Sequence, residues 1–505
     1  MIVLVAPFAT SQEKSHGNWP QGPGPNGTFH INSTTPVEWS VVFNENINWK
    51  ITLPETGQSA VTVWGDRLFF STIKPVKEKT NLASTIVAYC CDSSNGKVLW
   101  TREIEAEYAL KISSPFADSS AIPAVTDGER VCFFNASGKI VCYDMDGKEL
   151  WQRETIPARR CNPFMLNQSV VYVKQGYGPM ASGVFQNKGG KYNDRKFWGQ
   201  VQALNMKTGE ISWTSSCGVF MGSIPLLSYL DGKPVLVVGR GGGHGPPEKP
   251  SGVSLIDGSN GKELWSYSIG DFHSNQSMSL YKGQAVTFTK NKHLWIDART
   301  GKLKKEINYN KGTLYLQEND EYVKHENEAI VLGAIGIVLE SNLVVGDYHY
   351  FRTYSQFYLG RVHLVTGKVE YIELPVQIKR TAENKKTELL WGGRRSKNVH
   401  KLAFRENDMK NSRGILVMGD YRSKGNGWGH HATALPMVVG EHMYVPTMSG
   451  TVYVIKWNSE VLNGDAVVAI NDLGPVGKSW SRASLSTANG KIYAHTIREV
   501  ICVGK

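Results

Sequence analysis

The sequence predicts an all-β fold: one eight-bladed β-propeller of four-stranded antiparallel blades, closed by an N-terminal outer strand that completes the C-terminal blade. Three observations predict it. First, a polar turn, a glycine and a tryptophan recur at near-constant spacing: DSSNGKVLW ends at Trp100, DMDGKELW at Trp151, NMKTGEISW at Trp213 and DGSNGKELW at Trp265. Second, a short alternating apolar run precedes each turn, as in STIVAYCCD, GKIVCYDMD, GQVQALNM and SGVSLIDG, the pattern of a half-buried strand. Third, two more strand-like runs lie upstream of each turn, giving four strands at a period of about fifty residues.

Each element follows from its residues. The polar Asp/Asn-to-Gly turns place Gly96, Gly147, Gly209 and Gly261 where φ must be positive. The strand after each turn carries the tryptophan, or a substitute such as Tyr371, and Trp49, Trp100, Trp151, Trp213 and Trp265 are expected to pack between neighbouring blades. Stretches 59–72, 436–448 and 483–496 supply examples of the inner two strands. The last run, REVICVGK, has no tryptophan strand after it, whereas NENINWKITLP around Trp49 has no strands before it. Joining the two hides both sheet edges. The expected organisation is a leader over 1–17 and a single propeller over 18–505.

The totals fit a globular chain: 505 residues, 41% hydrophobic and 20% charged, with 51 glycines. A net charge of +11 favours anions in general, and no nucleic-acid motif accompanies it. The seven cysteines show no zinc spacing. In VCFFNASGKIVC a three-residue loop would set Cys132 opposite Cys142, either as buried thiols or as a disulfide. The opening MIVLVAPFATSQEK has an apolar run but no basic start, the pattern of a weak or truncated export signal. Nothing later approaches the ~20 apolar residues of a membrane helix.

Strand order sorts the loops by face. Second-to-third loops (174–198, 240–250 and 347–358) and blade-to-blade connections should share one face, and the glycine turns the other. A basic inter-blade insertion, about 376–428, joins the first group; residues 372–430 carry thirteen Lys/Arg against six Asp/Glu. Long loops on a rigid scaffold commonly bind ligands. Candidates on this face are Arg159, Arg160, Arg240, His244, Asp271, His273, Asp347, His349, Arg394, Arg395, Asp420, Trp428, His430, His431, Trp480 and Arg482. Such a set could hold a small anion or planar ligand; equally, inner polar groups simply hydrate a wet channel. The adjacent His430 and His431 should point apart in a strand and so not share a metal.

The D-x-x-x-G-K-x-x-W turn resembles the tryptophan-docking motif of pyrroloquinoline-quinone-like (quinoprotein-type) eight-bladed propellers, and NWPQGPGPNG with WKITLPETGQSAVTVWGDRLFFST resembles the start of exported bacterial members. The resemblance covers about residues 18–505. It implies one of two functions, because the family holds both quinone-dependent dehydrogenases and non-catalytic scaffolds. The enzymes use a ring of two adjacent cysteines, a calcium and an aspartate base. Cys90-Cys91 match in sequence but end a strand running into a glycine turn, and Asp347 and Asp420 lack a surrounding motif. No CxxCH, HExxH or GxSxG occurs, and RGGGHG lacks the setting of a phosphate loop. The expectation is therefore an exported, monomeric, non-catalytic scaffold without a cofactor, binding a protein or an anionic or saccharide ligand through its basic face. The alternative is a pyrroloquinoline quinone (PQQ)- and calcium-dependent alcohol or sugar dehydrogenase with a diverged site.

Overall fold

The structure, a computed structural model, describes residues 17–75, 80–112, 118–155, 161–174, 198–220, 223–240, 251–269, 276–289, 291–330, 341–352, 358–391, 410–414 and 434–504. Its strands form eight antiparallel blades around a common centre. Blade 2 shows the pattern, with Val125–Thr126, Arg130–Asn135, Lys139–Asp144 and Glu149–Glu154 hydrogen-bonded in that order. Blades 1, 3, 4, 5, 6 and 7 begin at Thr62, Phe164, Leu227, Ser277, Leu343 and Met437. Second and third strands are buried almost throughout, because each is covered by a neighbouring blade on both faces. The fourth strands of blades 2 and 5 alternate between exposed and half-buried.

The two ends of the chain close the ring as the sequence implies. Blade 8 takes Ser486–Ala488, Lys491–His495 and Glu499–Val503 from the C-terminus, and Ile47–Thr52 supplies its fourth strand, with Trp49 opposite Cys502 and Thr52 opposite Glu499.

In every blade except the sixth, a β-bulge falls where the third strand meets the fourth, just before the repeated tryptophan position. The extra residue turns outward, so Leu99, Leu150 and Leu264 are exposed. The next side chain is thereby re-aimed across the seam. Trp49 Nε1 donates to Ser93 O, Trp100 to Met145 O, Trp151 to Met206 O and Trp265 to Ala298 O, at 2.7–3.1 Å, each acceptor lying in the following blade. Each such bond contributes about 1 kcal/mol. Covering most of a ring of roughly 200 Å² contributes several kcal/mol at about 25 cal/mol per Å². Shape fit thus dominates, and the bond fixes the ring's direction.

Blades 5 and 6 use other side chains at these seams. Lys305 fills the tryptophan position of blade 5 and reaches Val365 O of blade 6. Between blades 6 and 7, the buried Arg361 donates to Glu370 within its own blade and to Ser459 O and Glu460 O of the next, while Tyr350 donates to Trp457 O. Blade 6 lacks the bulge because its fourth strand, Val369–Glu373, is not an edge. A hairpin, Lys311–Glu318 and Glu321–Ala329, pairs with it in parallel. This corrects the expected role of Tyr371: without a bulge to re-aim it, its ring packs with Tyr309 and Phe351, and its hydroxyl donates to Tyr309 O, away from blade 7.

Cys132 lies opposite Cys142 across the expected loop at Gly138 (φ 114°), and both are buried free thiols.

The glycine turns serve two separable needs. Gly209 has φ +74°, and a Cβ there would meet Trp151 Cε3 at 2.5 Å; Gly232 has φ +78° with nothing within 4 Å. Gly232→Ala is expected to cost only the left-handed backbone penalty of about 1–2 kcal/mol. Gly209→Ala should cost clearly more, read from urea midpoints. Equal losses would mean that the seam yields freely to the added methyl.

Candidate functional site

Antiparallel order places first-to-second and third-to-fourth turns on one face, here the turn face, and second-to-third connections and blade lead-ins on the opposite loop face. The turn-face mouth of the channel is closed by a segment that the repeat pattern does not reveal. Trp19 exchanges backbone hydrogen bonds with Val63 of blade 1, Pro20 O accepts from Thr126 of blade 2, and Gln21 Oε1 accepts from Met165 of blade 3. Gly27 packs on Leu227 of blade 4, His30 bonds the Val344 backbone of blade 6, and His30–Ile31 pairs in parallel with Val438–Val439 of blade 7. Trp19 and Phe29 are fully buried. The tight path depends on Gly24 (φ +74°), which lies under the Trp19 ring. Clustered Gly and Pro around two aromatics in NWPQGPGPNGTF were the only signal in the sequence.

From this plug the chain runs outward as a strap to blade 7. The buried Asp472 carboxylate accepts from Ser40 Oγ (2.6 Å), the Val41 and Val42 amides and Arg380 Nη1 (2.7 Å). Arg380 belongs to a hairpin, Gln377–Thr381 and Lys386–Leu390, that begins the basic insertion. Another described part of the insertion, 410–414, reaches the lead-in of blade 1. Ser412 Oγ donates to the buried Glu55 carboxylate in that lead-in, and Arg413 Nη1 donates to Thr80 O in the second-to-third connection of the same blade. The insertion therefore leaves blade 6, is tied to blade 1 and returns to blade 7.

The candidates from the sequence do not form one cluster among the described residues. Arg159, Arg160, His244, Asp271, His273, Arg394, Arg395, Asp420, Trp428, His430 and His431 lie outside those residues. Arg240 ends the second strand of blade 4 at the loop face and is buried. Trp480 and Arg482 lie in the lead-in to blade 8, also buried, with Ser481 N–H bonded to Met448 O. Asp347 is a correction. It sits in the first-to-second turn of blade 6, on the turn face, paired with Lys282 Nζ (2.7 Å) and the Tyr281 hydroxyl (2.6 Å). The reason is that Tyr348–Arg352 forms a strand, so the loop expected over 347–358 shrinks to the link between Arg352 and Tyr358.

His349 is likewise inside a seam. Asn342 Oδ1 accepts from Ser277 N–H, so its Nδ2 donates to His349 Nε2; His349 Nδ1 then donates to His293 Nε2 at 2.9 Å. Phe288 lies against both rings, which leaves the pair a packing role.

The quinone arrangement does not fit Cys90 and Cys91. They project from opposite faces of one strand into different hydrophobic clusters, and burial pushes both thiols up to about 12. Among the described residues no three His, Cys, Asp or Glu side chains are grouped to hold a metal.

Buried histidines give a pH signature. Burial lowers His30 and His495 to about 4 and His349 to about 3, against an ordinary 6.5. Folded, they stay neutral; unfolded, they take up protons below 6.5. Stability should be full above pH 6.5 and fall as pH drops towards 4, by up to about 1.4 kcal/mol per pH unit per histidine. His495→Gln should flatten that slope by one proton, measured by denaturation across the interval; an unchanged slope would contradict its burial as the neutral form. The plug and strand make a second prediction. Removing residues 1–31 should lower stability but leave blade 8 paired, whereas removing 1–52 should cost more and promote aggregation, read by melting and light scattering. Equal melting of both would show that Ile47–Thr52 adds nothing to closure.

Comparison with known proteins agrees with this geometry. The family profile described as outer membrane protein assembly factor BamB matches residues 43–171 and 197–314. No curated protein matches the chain in sequence. A europium-containing methanol dehydrogenase superposes with TM-score 0.52 and 14% identity, covering 94% of this chain and 89% of its own. Quinohemoprotein alcohol dehydrogenase from Comamonas testosteroni gives 0.54 and 12%, covering 98% and 81%. BamB from Moraxella catarrhalis gives 0.45 and 12%, covering 90% and 95%. At these identities the two dehydrogenase superpositions speak to fold alone. With eight bladed sheets, repeated glycine–tryptophan turns and a profile that matches just under half of the chain, the protein is similar in fold and repeat to the pyrroloquinoline-quinone-like eight-bladed β-propellers.

Proposed function

We propose that the protein is a non-catalytic binding scaffold that engages a protein partner, or an anionic or saccharide ligand, through its loop face. The observation that carries this reading is the plug: with Trp19–Ile31 bonded across the turn-face mouth, the loop face is the one left to present an opening. The connections after Lys174, Arg240, Arg352 and Leu390, including the basic insertion, all start from that face. The tie of Ser412 and Arg413 to blade 1 supports an insertion held in place, which lowers the ordering cost of binding. The matching family is named for an assembly factor, which describes assembly and not a reaction. An export route, suggested by the apolar start Ile2–Ala9, would put the scaffold outside the cytoplasm.

The test is a calorimetric titration of the purified protein with pyrroloquinoline quinone, with and without calcium, beside cross-linking capture of partners. The expected outcome is no quinone binding, and a partner whose capture is lost when Lys and Arg of the insertion are changed to Ser. Calcium-dependent, near-stoichiometric quinone binding followed by alcohol or sugar oxidation would replace the scaffold with the dehydrogenase reading.

A further inference from the structure

Blade 6 contains two arginines that are buried to the same degree and treated in opposite ways. Arg361, fully buried on the third strand, has every nitrogen of its guanidinium engaged: Nε and Nη2 by Glu370, Nη1 by the Tyr350 hydroxyl and Ser459 O, and Nη2 also by Glu460 O. Arg352 ends the second strand and is 1% exposed, yet Nε, Nη1 and Nη2 all lack a hydrogen-bond acceptor among the described residues. Its guanidinium carbon lies 5.2 Å from the centre of the Tyr453 ring of blade 7. The Tyr453 hydroxyl donates to Pro375 O and keeps its lone pairs; it attracts the guanidinium but lies outside hydrogen-bond geometry with it, so the arginine gains a ring face and a nearby neutral oxygen rather than a counter-charge.

A buried cation with no counter-charge is strongly unfavourable, and guanidinium cannot escape by losing its proton. The ring attraction offsets part of this but satisfies none of the five N–H groups. Held against Tyr453, the fork keeps its donors in one plane, the arrangement that meets an oxyanion through two parallel bonds. Arg352 is also the last residue of its strand at the loop face, paired with Leu359 and bonded through its amide to Ser341 O of the blade 6 lead-in. A ligand would come from the face assigned above to binding.

We propose that Arg352, on its Tyr453 platform between blades 6 and 7, is a specific site for an oxyanion group, a carboxylate or a phosphate, entering from the loop face. This deepens the scaffold reading by giving its anionic ligand a point of attachment, and it rests on that reading only for the direction of approach.

The test uses the full-length protein and its Arg352→Met and Arg352→Lys variants, titrated with sodium acetate and with inorganic phosphate at fixed ionic strength against chloride. Thermal midpoint and calorimetric heat are followed. The expected result is a saturable rise of the wild-type midpoint with at least one of the two anions. The response should vanish in Arg352→Met and weaken at least tenfold in affinity in Arg352→Lys, which keeps the charge but loses the fork. A general salting effect raises all three proteins without saturating and overturns the proposal. So does a wild type that responds to neither anion, since its arginine is then neutralised from within the chain. If Arg352→Met does not fold, wild-type affinity in Arg352→Lys overturns it alone. Anion binding with no partner captured supports this site while removing a protein-binding scaffold; capture with no anion binding does the reverse.

Discussion

Closure of the ring is the constraint on which the rest depends. Seven blades can be built from consecutive chain, but the eighth needs a strand from the opposite terminus, and Ile47–Thr52 supplies it along the ladder from Val503 to Glu499. Once that pairing exists, no blade has a neighbourless face, and every seam can bury a side chain from one blade in the turn of the next. The same N-terminal stretch also contributes the plug and the strap. Closure and the blocked mouth, from which the proposed binding face follows, are thus one event in the chain from residue 17 to residue 52.

The seams show how one geometric task is met by different chemistry. Where a bulge precedes the fourth-strand tryptophan, an indole crosses to the next turn, and ring burial outweighs its single hydrogen bond. Where blade 6 gains an outer hairpin, the bulge disappears and a buried ion pair, Arg361 with Glu370, reaches blade 7 instead. Such a pair contributes little beyond an apolar contact of equal shape, but losing one partner is costly, so it enforces register more than it adds stability. Asp472 plays the comparable part for the strap, where one carboxylate gathers donors from Ser40, Val41, Val42 and Arg380.

The proposed function sits where this regularity ends. The turn face repeats short glycine hairpins and carries the plug; the loop face carries chain that differs from blade to blade. Arg352 belongs to that second class, since the equivalent second-strand ends of blades 5 and 7 are Phe288 and Pro446. A position free to vary in this way is where a rigid repeat can acquire a ligand contact without disturbing its packing.

The sequence by itself determined the blade count, the closing strand and the tryptophan seams, because these depend on local periodicity, turn chemistry and repetition, all carried by residues near one another in the chain. It could not place Asp347, since a strand and a loop rich in aromatics look alike until the Gly346 turn is seen to end one strand and start the next. It could not separate Arg352 from Arg361, because identical residues nine positions apart are told apart only by what other blades bring to them. Nor could it find the plug, whose partners on blades 1, 2, 3, 4, 6 and 7 are spread over some four hundred residues of chain and meet only around the closed ring. Tertiary structure decided these points because each depends on long-range contacts, which leave no period in the sequence.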